Sequence, residues 1–344
     1  MGLFATTRHT EQAHEAATLG AEPPTSAAVD MSLGLAGARL SSPMMTASGC
    51  AANGRELARF LDITELGAFV TKSVMADPRS GRGTPRMAET PSGMLNSIGL
   101  QGPGITAFVE EDLAWLKQAG ARVLVSIAGT TSTEFAAVAR VLRDSDAFDA
   151  VAGVEVNISC PNVANRGLVF ACDPGASAAV VRGVREQLPR DVPVFAKLTP
   201  DVTDIVEVAQ ACVEAGADGL TMINTLLGMV IDTDRLRPQV AGITGGLSGP
   251  AVRPVAVRAV WQARAAMLEG RLPTVPVIGV GGVRTGRDAL ELVAAGASAV
   301  QVGTATFNDP SAPVRVGREL RGLLHEKGFQ RLTDAVGVAH ERMA

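Results

Sequence analysis

The chain's 344 residues allow one large domain or two of ordinary size, and 47% hydrophobic against 19% charged residues exclude a largely disordered chain. Thirty-one Lys and Arg against 35 Asp and Glu leave a net charge of −4, which favours neither nucleic acid nor an anionic membrane surface as the main partner. No window approaches the roughly 20 uninterrupted apolar residues of a membrane span, and the N-terminus lacks a cationic start followed by an apolar stretch, so the expectation is a cytoplasmic protein.

Ten Phe, two Trp and no Tyr leave Ala, Val, Leu and Ile to build the core, a composition that suits parallel strands covered by helices. Cysteines at 50, 160, 172 and 212 show no CxxC pairing and no His cluster, so neither a zinc site nor an iron-sulfur cluster is expected, and the thiols read as reduced.

In chain order, residues 1–30 mix Ala, Thr, Glu and Pro without periodicity and read as a disordered extension ahead of a single domain over 31–344. Residues 31–40 (MSLGLAGARL) alternate apolar and small side chains around Gly37, which predicts a short hairpin. A repeated unit follows: a short apolar run ending in small or polar residues, a helical stretch, a Gly and a new run. The runs are PMMTASG (43–49), AFVTKS (68–73), RVLVSIAG (122–129), GVEVNISC (153–160), VPVFAKLT (192–199), GLTMINT (219–225), VPVIGVGG (275–282) and AVQVGTA (299–305). Between them, DIVEVAQACVEAGA (204–217) and GRDALELVAAGA (286–297) carry a 3.6-residue apolar period ended by Gly. Eight such units with no linker predict an α/β fold of the (β/α)8 TIM-barrel type; an open dinucleotide-binding sheet would need G-x-G-x-x-G after an early strand, and none is there. Residues 77–104, rich in Gly, Pro and Arg, read as an irregular insertion after the second strand of the kind that builds specificity.

Strand C-terminal ends converge on one mouth of a barrel, where active sites occur. Here those ends supply Ser48, Lys72, Ser73, Ser126, Asn157, Ser159, Cys160, Lys197, Asn224, Thr225, Gly281, Gly282, Gly303 and Thr304. Gly281, Gly282, Gly303 and Thr304 follow strands seven and eight and form a candidate phosphate cradle, since glycine amides can approach phosphate oxygens closely. Lys197 suits an anionic or electron-rich group such as a reduced flavin ring, and Lys72 is placed similarly; either lysine could instead form a Schiff base with a carbonyl substrate, as in aldolases. Asn157, Asn162 and Asn224, with Asn96 in the insertion, offer carboxamides that match a planar ring of alternating NH and C=O such as a pyrimidine. Cys160, in NISCPN, is a workable general base if neighbours lower its pKa, whereas Cys50 and Cys212 read as small buried hydrophobes.

Together NxSCPN (157–162), TKS (71–73), NSIGLQ (96–101), AKLTP (196–200), INTLLG (223–228), GGLSGP (245–250), GVGGVRTGRDA (279–289) and QVGTA (301–305) resemble class 1 dihydroorotate dehydrogenases, in the right order over about residues 31–340. The resemblance implies oxidation of (S)-dihydroorotate to orotate on FMN in pyrimidine biosynthesis, with Cys160 removing the C5 proton while hydride passes from C6 to flavin N5. It places Lys72, Asn96, Gly99, Leu100, Asn157, Asn162, Asn224 and Thr225 around the substrate. It places Ala47, Ser48, Gly49, Lys72, Ser73, Asn157, Lys197, Ile223, Gly249, Gly281, Gly282, Gly303 and Thr304 around FMN.

Cys160 stands where the membrane-bound class 2 branch has Ser, and INTLLGMVID (223–232) with TGGLSGPAVRP (244–254) looks like the class 1B catalytic subunit. That subclass implies a homodimer core and a second polypeptide carrying FAD and a [2Fe-2S] cluster that reduces NAD, for which this chain lacks the cysteines. Residues 1–30 and Cys172 in RGLVFACDP (166–174) depart from the family pattern; Cys172 reads either as a spectator or as a thiol that pairs with Cys160 on oxidation, and the 161–175 loop reads as a lid. The alternatives are an FMN oxidoreductase acting on a related ring and the lysine aldolase.

Overall fold

In the computed structural model, which describes residues 29–159 and 170–341, all eight apolar runs contribute a strand to one parallel sheet. The chain first makes the expected hairpin, β1 (Leu33–Leu35) and β2 (Ala38–Leu40), turned at Ala36 and Gly37 with φ of 50° and 93°. The barrel strands are β3 (Met44–Thr46), β4 (Phe69–Val70), β7 (Val123–Ile127), β8 (Val151–Asn157), β9 (Val194–Leu198), β10 (Gly219–Met222), β15 (Val277–Val280) and β16 (Ala299–Val302), hydrogen-bonded in the order β3-β16-β15-β10-β9-β8-β7-β4. Most are buried along their whole length, because a parallel strand is covered by side chains within and by helices outside, so its text is a run of apolar residues rather than an alternation.

The sheet closes between its edges through Met45 and Ala68, with Gly67 N–H donating to Met44 O at 2.8 Å. Thr46 completes the seam with its side chain: Oγ1 accepts from Val70 N–H at 2.8 Å and donates to Val70 O at 3.1 Å. Gly67 permits the approach, since a Cβ there would overlap Ser42 O. The chain is a (β/α)8 barrel.

The outer layer begins with α1 (Ile105–Ala107), which runs through a π-helical segment (Phe108–Leu113) into α2 (Ala114–Gln118), and continues through α3 (Ser132–Arg143), α4 (Pro174–Arg185), α5 (Ile205–Glu214), α6 (Arg253–Leu268), α7 (Gly286–Ala295) and α8 (Ala312–Glu326), ending at α9 (Val338–Glu341). Local chemistry starts them where the loops end: Asp173 and Asp204 cap α4 and α5, and α7 opens on a capping box in which Thr285 and Asp288 satisfy each other's backbone N–H.

Residues 77–104 are more ordered than their Gly- and Pro-rich text suggests. They contain β5 (Met87–Thr90) and β6 (Gly93–Asn96), which pair as a hairpin. Between β10 and α6 lie β11 (Leu226–Gly228), a short ribbon of β12 (Ile231–Asp232) and β13 (Arg237–Pro238), and β14 (Gly245–Ser248). These excursions meet: β14 pairs with β6 and with β11, giving a four-stranded antiparallel sheet β11-β14-β6-β5 separate from the barrel sheet.

Candidate functional site

The strand ends and the second sheet line a cavity of about 810 Å³, within the range of small-molecule sites. Residues 47–49 follow β3, Lys72 and Ser73 follow β4, Asn157 ends β8, Lys197 lies in β9, and residues 223–225 follow β10; all line it. Gly281 and Gly282 after β15, Gly303 and Thr304 after β16, and Gly249 after β14 line the same space. Asn96, Gly99 and Leu100 reach it from the insertion, because β6 is held over the mouth by its pairing with β14. Cys160, Asn162 and most of the 161–175 loop lie outside the described residues. Cys172 is exposed, with its Sγ 3.8 Å from Asp201 O.

The amides are tied to one another. Asn157 Nδ2 donates to Ser73 Oγ at 3.0 Å, and Ser73 Oγ lies 2.9 Å from Ser126 Oγ and 3.3 Å from Ser48 Oγ. Asn224 Nδ2 donates to Asn157 Oδ1 at 3.2 Å, while Asn224 Oδ1 accepts from Thr225 N–H at 2.8 Å. Asn96 Nδ2 donates to Gly246 O at 3.1 Å, across the β6–β14 ladder. Each carboxamide spends part of its hydrogen-bonding capacity on orientation and keeps the remainder for a ligand. Fixed polar groups of this kind recognise a heterocycle edge without first having to be ordered.

The charge is one-sided. Lys72, Arg82, Lys197 and Arg284 line the cavity, and no Asp or Glu among the described residues does so, although the whole chain carries a net −4. Such a wall favours an anionic ligand. Lys197, 4% exposed, is paired with Glu155 behind the wall, its Nζ 3.1 Å from Oε1. Lys72 has no such partner among the described residues, and burial holds its pKa below the ordinary 10.5. Cys50, expected only to pack, lines the cavity; burial pushes its thiol up to about 11, against the pull of Lys197 and Lys72.

The glycine turns fit a phosphate. Gly249, Gly281 and Gly282 have φ of 88°, 137° and 73°, which L side chains rarely adopt. A Cβ on Gly282 would come within 2.9 Å of both Arg253 N and Gly249 O, and one on Gly303 within 3.1 Å of Ala47 Cβ. The turns therefore bring bare backbone together beside the N-terminus of α6, where backbone N–H groups attract anions. Thr304 Oγ1 donates to Ser248 Oγ at 2.8 Å and joins the end of β16 to β14.

A second cavity, of about 630 Å³, shares Gly49, Cys50, Lys72, Ile98 and Phe307 with the first and has Phe60 and Phe307 at its surface, 64% and 54% exposed. The two cavities therefore adjoin at these five residues. Glu155, Gln301, Arg82, Arg284 and this second cavity were not anticipated from sequence. Glu155 had a usable signal: it lies two residues before Asn157 on the same strand, so both side chains face the barrel interior.

Residues 31–324 match the family model described as dihydroorotate dehydrogenase. The chain is 49% identical over 308 residues to the dihydroorotate dehydrogenase B (NAD(+)) catalytic subunit of Geobacter sp. (strain M21), covering 90% of this chain and 97% of that one. The proteins of the same name from Pelobacter propionicus (49%, 90% and 98%) and Geobacter sulfurreducens (48%, 90% and 97%) are similarly close.

Proposed function

The chain belongs to the dihydroorotate dehydrogenase family, and from that membership we propose that it oxidises (S)-dihydroorotate to orotate on a bound FMN in pyrimidine biosynthesis, as the catalytic subunit of an NAD-linked enzyme. The observation that carries the reading is the meeting of Asn96, Asn157, Asn224 and Lys72 with the glycine turns at 249, 281–282 and 303 around one cavity. The turns suit the phosphate of a nucleotide-like cofactor. The amides and the lysine suit a heterocycle bearing a carboxylate.

In this reading Gly249, Gly281, Gly282, Gly303 and Thr304 hold the FMN phosphate, and Ala47, Ser48, Gly49, Ser73, Ile223 and Lys197 hold the ring. The chemistry a bound FMN supplies is acceptance of the hydride from C6. Lys72, Asn96, Gly99, Leu100, Asn157, Asn162, Asn224 and Thr225 orient the pyrimidine, and Cys160, three residues beyond the end of β8, takes the C5 proton. Residues 31–344 act as a single FMN-binding domain in a homodimer core. A separate subunit bearing FAD and a [2Fe-2S] cluster takes the electrons onward to NAD, in keeping with the words catalytic subunit in the relatives' name.

The lysine-aldolase alternative has Lys72 as its candidate amine, since Lys197 Nζ is engaged by Glu155 at 3.1 Å. The test is the visible spectrum of the purified chain followed by anaerobic addition of dihydroorotate. A flavin band that bleaches is expected. A band that persists would overturn the substrate, and a colourless chain that stays so after FMN is added would overturn the cofactor.

A further inference from the structure

Beneath the cavity wall a carboxylate sits where an apolar side chain would fill the barrel. Glu155 on β8 has no solvent exposure and does not reach the cavity, yet its oxygens are held from two sides. Lys197 Nζ on β9 donates to Oε1 at 3.1 Å, and Gln301 Nε2 on β16 donates to Oε2 at 2.8 Å. Gln301 Oε1 is left buried with no partner among the described residues. Packing alone does not explain this, since a buried ion pair contributes little or nothing to stability compared with apolar residues of the same volume.

The direction of the network is informative. Of its three members only Lys197 lines the cavity. The carboxylate that faces its ammonium is Glu155, with Nζ 3.1 Å from Oε1. The neighbouring strand β10 brings Thr221 and no titratable group, β16 brings the neutral Gln301, and Cys50 near the cavity stays a thiol up to about 11. Glu155 is thus the one anion facing Lys197 among the described residues.

Building on the flavin reading above, we propose that Glu155 is a positioning residue that acts through Lys197, holding that ammonium charged and fixed at the cavity wall so that negative charge arriving on the reduced ring meets a preformed cation. Gln301 locks the carboxylate in turn. Electrostatic groups set in place beforehand need no reorganisation when charge develops.

The test is the pH dependence of the flavin midpoint potential in the FMN-loaded chain. For a two-electron couple each proton taken up shifts the equilibrium tenfold per pH unit, about 30 mV. The parent is expected to follow the slope of the ring's own proton. In Glu155→Gln, Lys197 is neutral beside the oxidised ring and takes up a second proton on reduction, so the slope becomes a hundredfold per pH unit. Glu155→Asp, which keeps the charge, restores the parental slope. A Glu155→Gln protein with the parental slope would overturn the proposal, whether its potential moved or not.

If Glu155→Gln does not fold, the cycle is run from Lys197→Gln, comparing it with the double variant Glu155→Gln/Lys197→Gln, which leaves no unpaired charge. Action through Lys197 requires the two to share one potential; a difference of tenfold or more in the reduction equilibrium would show Glu155 acting directly and sink the idea. A chain that takes up no FMN fails the flavin reading instead, so the two failures are distinct.

Discussion

Lys72 is where a single side chain bears most directly on binding. It faces the cavity with no carboxylate partner among the described residues, and burial lowers its pKa, so its ammonium is open to a ligand anion and is lost sooner than an exposed lysine's as pH rises. A charge-assisted hydrogen bond is worth about 1.5–3 kcal/mol. Lys72→Met should therefore weaken orotate binding by about ten- to a hundredfold, measured by flavin spectral titration. The sign of the pH effect follows from the same shift. Affinity holds below the lowered pKa and falls through it, so the parent's Kd should climb before pH 10.5 while the variant's stays flat; a parental Kd constant to that pH would refute the assignment. The places of Lys72, Lys197, Asn157 and Asn224 on the cavity wall were legible in the sequence because a polar residue closing an apolar run has few other reasons to be there. Glu155 and Gln301 were not, because they stand inside such runs, and only the closed barrel shows that strands β8, β9 and β16 aim them at one another.

The same contrast governs whole elements. The barrel strands were readable because parallel strands buried on both faces are written as apolar runs, and the helices because their period is local. The four-stranded sheet was hidden: GGLS and GMLN are short and glycine-rich, and they become strands only by pairing across about 150 residues, Asn96 opposite Gly246. Glycine in this region reflects close approach rather than looseness, which makes the proposed phosphate turns testable. Gly282→Ala places a Cβ 2.9 Å from Arg253 N and Gly249 O at a φ of 73°. Strain of order 1–3 kcal/mol is expected, seen as a Tm lower by several degrees and as FMN lost on gel filtration. Gly34→Ala, which meets nothing within 4 Å and has no positive φ, should change neither. If Gly282→Ala retains FMN as tightly as the parent, the 281–282 turn is not the phosphate cradle.

At the scale of the molecule, the question is where electrons go once substrate is oxidised. Among the described residues no group of three His, Cys, Asp or Glu is placed to hold a metal ion, and no helix is long and apolar enough to cross a membrane. Cys212 lies on α5 in the core with its thiol pushed up to about 12, far from what a thiolate ligand requires. In the proposed reading, donor and acceptor share one cavity, so the barrel completes the first half of the reaction alone and the separate subunit carries out the second. The lone chain, loaded with FMN, should therefore be bleached by dihydroorotate at full rate and form NADH from NAD at a rate at least a hundredfold lower. Adding the cluster-bearing subunit should restore NADH formation without changing the bleaching step. Stopped-flow absorbance resolves both in one mixing experiment, and NADH formation by the lone chain at the speed of bleaching would assign the whole reaction to this barrel and remove the need for a partner.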